Sequence, residues 1–358
     1  MSVETINAAD AASLGRFDLI IDVRSPAEFA EDHMPGAINL PVLDDAERAQ
    51  IGEIYVQQSR FRARRLGAAL VARNIARHLE TALADREGGF QPLVYCWRGG
   101  MRSGAMATIL AQVGWRTALL AGGYRTYRRH VSAQLYDADL SLNFVLLDGP
   151  TGSAKTEVLQ ALPAQGLQIL DLEGLAEHRG SLFGALTGRP QPSQKLFESR
   201  LLSALDGLDP ARVVVAEAES SKIGDRMIPP ALWRRLAAAP VIEMAAEPEA
   251  RARYIARTYG DIAADPARLE DAFARLPRRP SPQRLQTWRN LVATAAFAEL
   301  AQALNAFHYD PAYAQAQRKS DRRRLETISL SPDDGESRAE AATAVARTIG
   351  ALDARPAR

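Results

Sequence analysis

The chain holds one cysteine and four lysines in 358 residues, and Cys96 and Lys155 stand in surroundings suited to anion chemistry. Cys96 lies in Tyr95-Cys96-Trp97-Arg98-Gly99-Gly100-Met101-Arg102-Ser103, between an apolar run at 92–95 and an Ala/Met/Leu-rich stretch of helical spacing at 103–113. A sharp turn from a strand into a helix leaves backbone N–H groups unpaired around whatever occupies it. A thiolate, persulfide or perselenide at Cys96 is held by those amides, by the helix dipole, and by Arg98 and Arg102. The same setting lowers a thiol pKa. A small buried residue at a strand end is the ordinary alternative. Gly99-Gly100 between two arginines is poor core material, and this favours the nucleophile.

Lys155 closes a second turn, Gly149-Pro150-Thr151-Gly152-Ser153-Ala154-Lys155-Thr156, after the apolar run 144–148 and before a helix through 162. A strand, a glycine-bearing loop, a lysine for phosphate charge and a threonine for a metal or phosphate oxygen are the parts of a phosphate-binding loop. Gly149, Gly152, Ser153, Ala154, Lys155 and Thr156 are the expected contacts. Ala154 stands where glycine ordinarily precedes the lysine, and alanine fits there if its φ is negative. Glu173, His178, Arg179 and Ser181 follow as candidate substrate-binding residues. His178 reads either as a buried helix histidine or as part of a polar site loop. Glu217, Glu219 and Lys222 follow the apolar run 212–216. An acid at such a strand end can hold Mg²⁺, and acids there are otherwise ordinary.

The elements that must position these residues alternate. Apolar runs at 17–23, 92–95 and 117–120 are separated by stretches of helical pattern at 44–83 and 103–113. A second series has runs at 144–148, 167–172, 212–216 and 240–244, with an amphipathic helix at 193–205. Strands alternating with helices argue parallel α/β sheets with their sites at the strand C-termini. A long helix is expected over 283–307, and an Ala-rich helix and a frayed terminus after Ser331. The division expected is a first domain over 10–135, a second with a helical extension over 143–325, and a tail over 326–358.

Apolar content of 47% and charged content of 24% are those of a globular protein. One cysteine excludes an internal disulfide, and no zinc-ligand spacing occurs, so no metal site is expected from side chains alone. The first residues lack the basic and apolar regions of a secretory signal, and no run approaches a membrane span, so a cytoplasmic location without a membrane is expected. Net charge is +1. The basic surface is almost all arginine, clustered at Arg60/Arg62/Arg64/Arg65, Arg125/Arg128/Arg129, Arg278/Arg279 and Arg322/Arg323/Arg324. Arginine suits phosphate contacts, and a GC-rich genome supplies it on any solvated face. Taken together the clusters leave an RNA-sized partner open.

Asp22-Val23-Arg24, Glu28-Phe29, His33-Met34-Pro35-Gly36-Ala37-Ile38-Asn39, the Cys96 loop and Gly122-Gly123-Tyr124 resemble a rhodanese domain. The resemblance implies a carrier cysteine in a cradle of amides. One departure is that Arg102 closes the loop six residues after the cysteine, one more than in ordinary sulfurtransferases of that family. The Cys-x5-Arg spacing resembles the cradle of the related phosphatases and also fits a larger chalcogen. With the P-loop-like stretch, Glu173…His178-Arg179-Gly180-Ser181-x-Phe183-Gly184, Glu217-Ala218-Glu219-Ser220…Lys222-Ile223-Gly224 and Tyr309-Asp310-Pro311-Ala312-Tyr313, the chain resembles the tRNA 2-selenouridine synthase family over about residues 10–320.

That resemblance implies a rhodanese-like parallel sheet with flanking helices, then a P-loop NTPase-like α/β domain and a helical C-terminal region. It also implies a transferase replacing sulfur by selenium at the wobble 2-thiouridine of tRNAs for Lys, Glu and Gln. The route implied runs through an S-geranylated intermediate, with geranyl diphosphate and selenophosphate as co-substrates, Mg²⁺ as an open question and a selenophosphate-producing enzyme as a partner. Cys96, Arg98 and Arg102 then carry the selenium step. A Cys-x5-Arg phosphatase and a non-catalytic tRNA-binding protein are the alternatives.

Overall fold

The computed structural model describes residues 2–181, 183–260 and 265–353. The chain splits into two compact units, Met1–Ala138 with Ser193–Asp206, and Asp139–Pro192 with Gly207–Arg358. Each is built on one five-stranded parallel sheet.

The first unit contains β1 (Glu4–Ile6), β2 (Leu19–Asp22), β3 (Ala37–Asn39), β4 (Pro92–Tyr95) and β5 (Ala118–Leu120), in the order β1-β5-β4-β2-β3. β4 is central and buried along its whole length, so its residues are apolar without alternation. The chain leaves the C-terminal edge of the sheet at Cys96, with Val94, Met106, Leu110 and Ile21 packed beneath. The helical stretch expected at 44–83 is two helices, Asp45–Gln57 and Arg60–Glu80. They part at Gln58-Ser59 because the Ser59 hydroxyl caps the second, accepting from the Arg62 N–H at 3.3 Å.

The amphipathic helix, Gln194–Asp206, packs on this first unit although its sequence neighbours belong to the second. It buries Phe197, Leu201 and Leu202, and also Glu198, which is 1% exposed. A buried carboxylate is tolerable only when fully engaged. Arg128 donates to Glu198, as do the Tyr136 hydroxyl at 2.6 Å and Gln194 at 2.9 Å.

The second unit contains β6 (Asn143–Asp148), β7 (Gln168–Leu170), β8 (Val213–Glu217), β11 (Val241–Ala245) and β12 (Arg324–Ser329), with a small hairpin of β9 (Lys222–Ile223) and β10 (Arg226–Met227) outside the sheet. The order is β12-β11-β6-β8-β7. The chain builds one side of β6 through β7 and β8, then crosses to the other for β11 and β12. That reversal puts a cleft at the C-terminal end of β6, where ligands bind in open parallel sheets.

Two expectations for this unit need correction. The stretch from 326, read as a tail, is part of the core. β12 pairs with β11, and the Gly335–Asp353 helix buries Ala342, Val345 and Ile349 with Val158, Leu159 and Leu162 in one apolar cluster. β12 is an edge strand entered through three arginines, which hides its pattern. The expected frayed end, 354–358, lies outside the described residues. The helix expected over 283–307 is broken into Pro282–Ala293, Phe297–Leu304 and a π-turn at Asn305–Tyr309. Ala295 takes a φ of 55° between the first two, a conformation costing a non-glycine residue roughly 1–2 kcal/mol. The break lets Leu300 and Leu304 pack with Trp288 and Phe273.

Candidate active site

The Cys96 loop is fastened at both ends. The Cys96 carbonyl accepts the Tyr124 N–H at 2.8 Å, and the Trp97 carbonyl accepts the Arg125 N–H at 3.2 Å. The contact requires glycine at 123: φ is +58°, and a Cβ there would lie 2.1 Å from the Cys96 carbonyl oxygen. Beneath it Arg24, 1% exposed, pairs with Asp22 through Nε at 3.0 Å and Nη2 at 2.6 Å. Arg24 also donates to the Asp32 carbonyl at 2.6 Å and sits 4.1 Å over the Tyr124 ring. The Tyr124 hydroxyl closes the network on Asp32 at 2.7 Å. The Asp22-Val23-Arg24 sequence is thus the floor of the loop.

Cys96 Sγ accepts the Gly100 N–H at 3.3 Å and the Ser103 hydroxyl at 3.1 Å. Burial pushes this thiol up. The Ser103 hydroxyl, and the N–H groups of Ser103, Gly100 and Arg98, outweigh burial and hold the pKa below the ordinary thiol value. Arg98 is exposed and contributes its backbone N–H. Arg102 pairs with Glu28, Nη1 to Oε2 at 2.8 Å and Nη2 to Oε1 at 3.3 Å. Burial pushes the Glu28 carboxyl up, and the Arg102 hydrogen bonds and charge bring it below the usual carboxylate range. Glu28 is therefore an ionised partner and no general acid.

The second cradle joins β6 to the Lys155–Ala161 helix. The condition under which alanine fits at 154, a negative φ, is not met: it sits at φ 54°, ψ 32°, the left-handed region glycine normally fills. Its methyl is buried with Val158, Leu147 and Met244, which offsets part of the strain. Lys155 Nζ folds back on its own loop, donating to the Gly149 carbonyl at 2.8 Å and that of Pro150 at 3.4 Å. The buried Ser153 hydroxyl is bound to the Pro150 carbonyl at 2.8 Å. Gly152 has φ 87°, and a Cβ there would lie 2.7 Å from Ile255 Cδ1.

Thr156 Oγ1 donates to Glu217 Oε1 at 2.6 Å and lies 3.2 Å from Glu173 Oε2. The other Glu217 oxygen is buried without a partner. Burial, then the charges of Glu217 and Glu219, push Glu173 up to about 10. Burial pushes Glu217 up to about 8 against the Thr156 hydrogen bond. Arg251, buried at 3%, ties this loop to a distant helix. It donates to the Thr151 carbonyl at 3.2 Å and to both Asp310 oxygens at 2.9 and 2.8 Å. A cavity of about 1670 Å³, open to solvent, lies over the loop.

The family model for a rhodanese-like domain matches residues 6–130, and that for the tRNA 2-selenouridine synthase AAA domain matches 142–274. The tRNA 2-selenouridine synthase of Cupriavidus pinatubonensis is 34% identical over 336 residues, covering 84% of this chain and 89% of the relative. The chain belongs to the tRNA 2-selenouridine synthase family. The enzyme of that name from Bordetella petrii is 35% identical, covering 85% of this chain and 88% of its own. That of Verminephrobacter eiseniae is 42% identical over shorter shares, 62% and 61%.

In this selenouridine synthase relative, Glu173, Arg179, Ser181 and Glu219 line the cavity with the loop. Glu217 lies behind them against Thr156. His178 is buried in a bridge to Ala185, close against Gly184 and Gly224, and outside that lining. Burial lowers its pKa. Lys222 is exposed on the small hairpin and pairs with Asp225 at 3.5 Å. Sequence reading missed Glu28 and Arg251 as supports, and Tyr254, Tyr259 and His308 as lining residues. Tyr309-Asp310 was visible as a motif without a role. It supplies Tyr309 to the cavity wall and Asp310 to Arg251.

Proposed function

We propose that the chain replaces sulfur by selenium at the wobble 2-thiouridine of tRNAs for Lys, Glu and Gln, first transferring a geranyl group from geranyl diphosphate and then exchanging the S-geranyl group for selenium from selenophosphate. The observation carrying this reading is the pairing of two different cradles in one chain: a thiol of lowered pKa in an amide cup, and a lysine-bearing phosphate loop under an open cavity. A thiocarbonyl sulfur is a poor leaving group, and alkylation makes it a thiol. The sulfur attacks the geranyl carbon, the bond to diphosphate breaks, and the uracil ring loses its N3 proton. Loop amides and Lys155 stabilise the departing diphosphate. The Cys96 loop then holds selenophosphate, whose selenium attacks C2 as the geranyl sulfur leaves as a thiol; water then cleaves the Se–P bond, releasing phosphate and leaving the selenocarbonyl.

Among the described residues no group of three His, Cys, Asp or Glu side chains is arranged to hold a metal alone. Were Mg²⁺ bound, the unpartnered Glu217 oxygen and the Thr156 hydroxyl would hold it, and it would neutralise charge developing on the diphosphate. No helix among the described residues is long and apolar enough to cross a membrane. The proposed reaction belongs in the cytoplasm because its tRNA substrate is met there, and a selenophosphate-producing enzyme would supply the selenium donor. The phosphatase reading loses support because Arg102 is held by Glu28, itself a carboxylate.

The test is mass spectrometry of the wobble nucleoside after incubating 2-thiouridine tRNA with the protein, geranyl diphosphate and selenophosphate, omitting each in turn. Gain of one geranyl group without selenophosphate, and its conversion to the selenium isotope pattern with it, is the expected result. An unchanged nucleoside under every condition contradicts the proposal.

A further inference from the structure

A second chamber in the same unit opens beside the phosphate loop. It is partly open to solvent, and its wall is apolar almost throughout, with Phe183, Ile255, Leu269, Phe297, Leu300 and Leu304 forming most of it. The chamber shares Thr151, Ser181, Tyr259 and Tyr309 with the cavity over the loop. Thr151 belongs to the phosphate loop itself. The Ser181 and Tyr259 hydroxyls, 3.2 Å apart, mark the seam where polar wall gives way to apolar wall. A charged head on the loop amides and a hydrocarbon tail in the chamber is the ligand shape this pair of spaces fits.

The chamber is also bounded by fixed matter. Phe183, Leu269, Leu300 and Leu304 belong to one buried cluster with Trp288, Phe273 and Phe307, whose rings pack at 5.4 Å on either side of Trp288. Such close-packed walls yield little to an extra methylene. Two small residues, Ala256 and Ala301, line the chamber and take no part in lining the cavity over the loop. They stand on facing helices, Pro248–Thr258 and Phe297–Leu304. A larger side chain at either position would fill the space.

We infer that this chamber receives the hydrocarbon chain of the prenyl diphosphate and limits its length, with Ala256 and Ala301 keeping it open and the Leu300/Leu304/Phe183 wall closing it. The inference rests on the geranyl transfer proposed above and adds where the chain lies and what selects it. Each methylene taken out of water is worth a factor of about four in affinity, so chain and head separate cleanly in binding.

The experiment is calorimetric titration of inorganic pyrophosphate and of dimethylallyl, geranyl and farnesyl diphosphate into the full-length protein and into Ala256→Leu, Ala301→Leu and Leu304→Ala. The wild type binds geranyl diphosphate at least tenfold more tightly than pyrophosphate. Each variant loses that advantage and keeps its pyrophosphate affinity. Leu304→Ala shifts preference toward the fifteen-carbon homologue. Equal wild-type affinity for geranyl diphosphate and pyrophosphate, or undiminished geranyl preference in both Ala→Leu variants, overturns the inference and leaves the diphosphate reading standing. Absence of binding by every diphosphate overturns that reading too.

Discussion

The two cradles follow one plan and differ in where their charge is kept. Both lie where a central parallel strand, β4 or β6, runs through a glycine-bearing turn into a helix. At Cys96 the cup is neutral backbone plus one hydroxyl, and the nearby cation, Arg102, is already claimed by Glu28. At Lys155 the cation hydrogen-bonds to two carbonyls of its own loop, while the carboxyl groups of Glu173, Glu217 and Glu219, on which its charge acts, crowd behind Thr156. The first arrangement suits an anion carried on a fixed sulfur. The second suits a polyanion that arrives with its own charge and leaves, since Lys155 hydrogen-bonds to loop carbonyls and to no carboxylate among the described residues. That difference fits the proposed division of labour between a site that holds the selenium donor and a site that exchanges a diphosphate.

Breaking either cradle should separate the two steps. Cys96→Ser is expected to lower selenium incorporation roughly 10³-fold or more while S-geranylated tRNA accumulates. Lys155→Ala should cost geranylation about 10²–10³-fold. A smaller effect sharpens the role of Glu28. Glu28→Gln frees Arg102 to turn toward the sulfur, so the pH midpoint of Cys96 alkylation by iodoacetamide should fall by up to about one unit. The single cysteine makes that assay free of background, and an unchanged midpoint means that Arg102 does not bear on the thiol.

The carboxyl cluster gives a pH test. Glu173 and Glu217 have folded pKa values above their unfolded ones. The native state therefore retains protons that the unfolded chain releases, and stability falls as pH rises from the ordinary carboxylate range through about 8 and about 10. Glu173→Gln should remove its share of that slope and raise the melting temperature at pH 9 by roughly 2–4 °C. A variant less stable than wild type at that pH contradicts the assignment. Smallest of all, Ala154→Gly should stabilise by about 1 kcal/mol or less in denaturant unfolding, as the left-handed strain is relieved at the expense of one buried methyl.

Local features were legible and long-range ones were not. β4 announced itself because a strand buried on both faces is continuously apolar, and the Cys96 turn did so because Gly99-Gly100 between arginines has no place in a core. Arg102 was legible as a residue, but its partner lies 74 positions away, and no spacing rule reaches that far. The same holds for Arg251 and Asp310, which are 59 apart. Ala154 shows a different limit: the sequence marks the lapse from glycine, and only the backbone shows that the fold accepts the strain. The Gln194–Asp206 helix had a clear apolar face, yet nothing in its pattern says which sheet that face covers.

The most direct test of two cradles with two tasks is to give each variant the substrate of the step it should retain. Lys155→Ala, supplied with S-geranyl-2-thiouridine tRNA and selenophosphate, should form 2-selenouridine at the wild-type rate and leave 2-thiouridine tRNA untouched. Cys96→Ser should geranylate 2-thiouridine tRNA and leave the selenium step undone. Failure of Lys155→Ala on the pre-geranylated tRNA, or of Cys96→Ser in geranylation, with both proteins folded, would show that the steps share one site and contradict the account.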